Sequence, residues 1–152
     1  DTITERLIAM QSRQYTPKDQ MAISEMLLVV SDIERISDHA ENIAEYAEQI
    51  KAKKASISAQ GMSELRMLAD KTFESLELSF MIFEKEQYDK IPEAEKLEQE
   101  VDDVQQMIVN SHIRRLMEES CNPAGGVIFT DMATDLERCS DHALNIASAL
   151  TE

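Results

Sequence analysis

The stretch DIERISDHAENIA at residues 32–44 recurs almost unchanged as DLERCSDHALNIA at residues 135–147, with 10 of 13 positions identical at an offset of 103. A repeat of this kind fixes the organisation of the chain before any other feature is weighed. Both copies carry apolar residues at steps of three and four, the spacing of a helix that buries one stripe. Both also carry an E-x-x-x-D pair, Glu34/Asp38 and Glu137/Asp141. Carboxylates four residues apart on a helix project the same way and repel one another.

Working outward, the 152 residues contain 3 Gly and 3 Pro, which leaves little material for turns. The spacing predicts five helices, at about residues 2–13, 17–53 and 62–88, then from Pro92 to the break at residues 122–126, and from that break to the terminus. Thr16 is a natural cap for the second helix, with Pro17 at its first position. Its expected stripe is Ile33, Ile36, Ala40, Ile43 and Ala47. The third helix is expected to bury Leu65, Leu68, Phe73, Leu76, Phe80 and Phe83. Ala94, Leu97, Val101, Val104 and Ile108 form the stripe of the fourth. Asn122-Pro123-Ala124-Gly125-Gly126 separates the last two helices. The fold class is all-α, an antiparallel helical bundle.

The 30 acidic and 15 basic residues give a formal net charge of −15, which disfavours nucleic acid and anionic lipid headgroups as partners. No run reaches the ~18 apolar residues of a membrane-spanning helix. Cys121 and Cys139 lack C-x-x-C spacing and suit a reducing compartment. Cys139 aligns with Ile36, which makes it a small core residue rather than a redox group.

Helical geometry places Glu34, Asp38, Glu41 and Glu45 within about 60° of one another, away from the core stripe. A solvated acidic face is the plain explanation. Against it, the pair is repeated, no Lys or Arg interrupts the flank, and Glu98/Asp102 on the fourth helix form a third E-x-x-x-D. In a three-helix bundle Glu98 and Asp102 can face Glu137 and Asp141 across a groove. Asp103 and Glu100 offer alternatives on the same helix. Four carboxylates around one volume suit Mg²⁺, Ca²⁺, Mn²⁺ or iron. His39 and His142 lie on the opposite flank, as interhelical hydrogen-bonding groups. Asn42 and Asn145 are expected to bond a neighbouring backbone, and Arg35 and Arg138 to pair with acids near Asp32 and Asp135. His112 receives no role. No histidine completes an E-x-x-H motif, and there is no Gly-rich phosphate loop or supported nucleophile pair, so no enzymatic activity is expected.

The two motif segments resemble the signature of the PhoU family, whose repeats are three-helix bundles. The resemblance implies metal ions held by paired E(D)-x-x-x-D motifs: Glu98, Asp102, Glu137 and Asp141 in the second repeat, Glu34 and Asp38 in the first. It divides the chain into a partial first repeat, 1–55, and a complete second one, 56–152. If the repeats are equal, roughly 45 residues of bundle precede Asp1. PhoU-type domains occur as free-standing regulators beside a phosphate ABC transporter and as cytoplasmic tails of bacterial sodium/phosphate cotransporters. SEMLLVVSDIERISDHAENIAEYAEQI and NPAGGVIFTDMATDLERCSDHA are more similar to the tails. The implied function is a metal-binding regulatory domain that couples phosphate status to transport, at the cytoplasmic face of a bacterial inner membrane. Its implied partners are the transporter's membrane segments. Separately, an apolar stripe left uncovered in the partial repeat predicts a homodimer.

Overall fold

The computed structural model describes residues 2–11, 15–52, 55–118 and 122–151. Cys121 and the expected helix ends at residues 12–13 and 53 lie outside them. Five α-helices account for nearly all of the described residues: α1 Thr2–Gln11, α2 Pro17–Lys51, α3 Ala59–Lys85, α4 Ile91–Met117 and α5 Pro123–Ser148. A 3-10 turn, Tyr88–Lys90, leads into α4. No helix of the described residues is long and apolar enough to cross a membrane.

Local chemistry sets the boundaries. The Thr16 side chain accepts from the Asp19 backbone N–H while the Asp19 carboxylate accepts from Thr16 N–H, a reciprocal cap at the start of α2. Ser58 caps α3 through Gly61 N–H, so this helix begins three residues earlier than the sequence pattern suggests. It ends at Lys85 because Glu86 turns into the left-handed region with φ 53°. Asn122 caps α5, with Pro123 in its first turn. Gly125 is needed there for close approach: a Cβ on it would sit 1.8 Å from the carbonyl oxygen of Ser56.

Helices α3, α4 and α5 run up, down and up around one core. Leu65, Leu68, Val101, Ile108, Phe129, Ala133 and Leu136 form its central cluster. Ile82, Ala94 and Ala147 continue it toward the 3-10 turn. The expected α4 stripe is the observed one, with Ala94, Val101 and Ile108 fully buried. The expected α3 face is corrected beyond Leu68. Phe73 is 62% and Phe80 40% exposed, and the buried positions are Thr72, Ser75, Ser79 and Ile82. Small side chains allow α3 to lie close against α5, where Ser75 Oγ and Ser140 Oγ are 2.7 Å apart and Thr72 donates to the Leu136 carbonyl. Large aromatics on that face would hold the helices apart.

Antiparallel to α5 lies α2, packed through Val29, Ile36 and Ile43, while α1 packs along the first half of α2. The α2 stripe is only partly buried. Ile33 is 49% exposed, and Ala40 and Ala47 are exposed as well. The repeat makes this informative. Leu136 and Ala143, the counterparts of Ile33 and Ala40, are buried beneath α3 and α4. Identical sequence logic gives different burial because α2 lacks an equivalent of α3 among the described residues.

Candidate metal centre

The site is built where α4 and α5 run antiparallel. Val101 and Leu136 enter the core, and this fixes the rotation of each helix. Flanking Val101, Glu98 and Asp102 on α4 then face Asp141 on α5. One carboxylate oxygen from each of these three residues lies within 4.8 Å of the others. Glu137, one turn before Asp141, stands at the edge of the same group with its side chain 18% exposed. The fourth helix's other acids point elsewhere. Glu100 pairs with Lys71 at 2.9 Å on the α3 side, and Asp103 is exposed and bonded by Gln99.

This crowding is electrostatically costly without a cation. Burial, followed by the charges of Asp102 and Asp141, pushes the Glu98 carboxyl up to about 7. Burial and the same neighbouring charge of Asp141 raise Asp102 and Glu137 from the ordinary carboxylate range. Arg138 opposes the shift at both. Its Nη1 donates to Asp141 Oδ2 at 2.8 Å, and its Nε lies 3.5 Å from Glu137 Oε2. Asp102 Oδ1 is shut off from solvent and has no hydrogen-bond partner. A buried carboxylate oxygen with no donor is what a cation ligand needs. Several hard oxygen donors with no thiolate or imidazole among them fit Mg²⁺, Ca²⁺, Mn²⁺ or iron. The donor set therefore fits a resident cation of that class.

Glu34 and Asp38 are not drawn into a comparable group. Both are exposed on α2, and no helix of the described residues lies opposite them. The structure thus brings together Glu98, Asp102 and Asp141, with Glu137 adjacent, and leaves the first pair open.

A second polar constellation holds α2 to α5. His39 Nδ1 donates to Asp135 Oδ1 at 2.7 Å and His142 Nδ1 to Asp32 Oδ1 at 2.8 Å. Asn42 and Asn145 add bonds of 3.5 and 3.3 Å to the same two carboxylates. The two imidazoles stack with centroids 5.7 Å apart. Each member is 103 residues from its counterpart, so the contact is a crossed pair about a local two-fold. The histidines are interhelical groups, as expected. One expectation is corrected, since Asn42 and Asn145 bond carboxylates rather than backbone; Arg138 pairs with acids as expected, at Asp141 and Glu137, whereas Arg35 makes no ion pair among the described residues. The signal for this pairing was present in the sequence, since Asp, His and Asn recur at i, i+7 and i+10, within roughly 80° on one helix face.

Cys139 is buried on the local two-fold, its Sγ 4.0 Å from the Ile36 carbonyl, and burial pushes its thiol up to about 11. His112 is buried against Phe129, and Arg115 pairs with Glu64 at 2.8 Å beside the same ring.

The PhoU domain model matches residues 1–47 and 65–150, which is most of the sequence. The chain belongs to the PhoU domain family, all-helical regulatory domains associated with phosphate, not a known family of enzymes. Comparison with curated proteins and with solved structures found no match.

Proposed function

We propose that the chain is a metal-binding regulatory domain of a sodium-dependent phosphate cotransporter, coupling phosphate status to transport at the cytoplasmic face of a bacterial inner membrane. The observation that carries the metal part is the convergence of Glu98, Asp102 and Asp141, with one oxygen buried and undonated. These residues, joined by Glu137, would hold the ion, whose charge removes the repulsion between α4 and α5. Ion occupancy then favours one packing of these helices over another, which is how a domain without a nucleophile can pass on a signal. The similarity of the motif segments to cotransporter tails supports the transporter setting; a free-standing phosphate-signalling adaptor would use the same chemistry.

In this reading α2 carries Glu34 and Asp38 on one exposed face and turns its exposed apolar stripe to a second copy of the chain. The full-length gene product carrying Glu34→Gln, Asp38→Asn, Glu137→Gln and Asp141→Asn tests the function. Phosphate uptake should lose its dependence on phosphate status while sodium coupling survives. Wild-type regulation in both phosphate-rich and phosphate-starved cells would refute it.

A further inference from the structure

Resting on the metal-site reading, we infer that Arg138 is the chain's own counter-cation for this site: it holds Asp141 and Glu137 in the metal-free state and must release them when an ion enters. Its guanidinium bonds Asp141 Oδ2 at 2.8 Å and approaches Glu137 Oε2 at 3.5 Å, so it lies against carboxylates that an incoming cation would engage. It is half-exposed and rooted on α5 beside the site, so it can swing into solvent without disturbing the core.

The internal repeat supplies a control within the same molecule. Arg35 stands in the identical Glu-Arg-x-x-Asp setting on α2, yet it makes no ion pair among the described residues, and Glu34 and Asp38 remain exposed. Sequence context alone therefore does not dictate the pairing. What differs is α4, whose Glu98 and Asp102 crowd Asp141 and concentrate negative charge there. Arg138 answers that excess charge. A divalent ion answers it better, and two positive charges drawn to the same carboxylates repel one another. Metal loading and Arg138 release are thus one exchange. The freed guanidinium is then a donor fork beside the loaded ion, so occupancy changes the surface that this edge of α5 presents.

The test titrates Mn²⁺ into the metal-free intact chain and reads free ion by the electron paramagnetic resonance signal of hexaaquo Mn²⁺. Wild type, Arg138→Gln, Arg138→Lys and Glu98→Gln are compared. Arg138→Gln should bind Mn²⁺ about threefold tighter or more, the size expected from losing one part-exposed ion pair. It should also melt about 2–4 °C lower than wild type in chelator. Arg138→Lys, which keeps the charge, should stay within a factor of about two of wild type. Unchanged or weaker binding by Arg138→Gln, with wild type binding normally and Glu98→Gln impaired, overturns the exchange and leaves the metal site standing. Loss of Mn²⁺ binding in wild type itself overturns both.

Discussion

Asp32 and His142 meet at 2.8 Å across the α2–α5 contact, and the same two positions of the repeat meet again, with helices exchanged, as Asp135 and His39 at 2.7 Å. Each carboxylate is largely removed from water and accepts from one imidazole and one carboxamide. The crossed arrangement fixes the register of α2 on α5, because sliding either helix by one turn would break both pairs at once.

Breaking one arm should therefore weaken the contact substantially. Asp135→Ala and His39→Ala are each expected to destabilise the chain by about 1–3 kcal/mol, the range for a buried polar group left unpaired. A double-mutant cycle should return a coupling of about 0.5–3 kcal/mol, and the Asp32/His142 cycle a value similar to it. Additive losses in urea unfolding would mean that the pairs are not energetically coupled.

Gly125 should tolerate no side chain. A Cβ there meets the Ser56 backbone at 1.8 Å, whereas on Gly126 the nearest atom is Nε2 of the His112 ring at 2.7 Å. Gly125→Ala should cost about 1–3 kcal/mol, and more than Gly126→Ala, since a ring can shift where a backbone carbonyl cannot. Thermal melts of the two variants decide the order.

The exposed stripe on α2 should drive association. Ile33 is half exposed although its counterpart Leu136 is buried. Light scattering at increasing concentration should report a dimer, and Ile33→Glu should return it to a monomer without lowering helicity. A monomeric wild type at all concentrations would leave this face to another partner.

Much of this was legible in the sequence. Five helices, the α2 cap at Thr16, the α4 stripe and the acidic groove all follow from periodicity, capping chemistry and the offset of 103. The buried face of α3 was not, because hydrophobicity favours Phe73 and Phe80, whereas close packing on α5 selects Thr72, Ser75 and Ser79. The partner of Arg138 was also hidden. Its choice follows the charge that Glu98 and Asp102 bring to Asp141 from α4, and no local pattern carries that information.

Protonation at the site should be visible in the pH dependence of the metal-free chain. Glu98 is pushed up to about 7 in the folded state against an ordinary 4.5, so the folded chain holds a proton that the unfolded chain gives up. Its contribution is fully present below pH 4.5 and is lost as pH rises through 7. The loss should be about 1–2 kcal/mol after allowance for solvent screening. In chelator, wild type should lose stability across this window relative to Glu98→Gln. Parallel profiles for the two proteins would refute the crowding.

The most direct measurement is the melting temperature of wild type and Glu98→Gln, each in chelator and in saturating Mn²⁺ at pH 8. Without metal, Glu98→Gln should be the more stable protein, because one charge of a repelling group is gone. With Mn²⁺ the order should reverse, since an ion that binds only the folded site stabilises by mass action, by about 2.7 kcal/mol at a hundredfold excess over Kd. An equal response of the two proteins to Mn²⁺, or none in either, would contradict a metal centre at Glu98, Asp102 and Asp141.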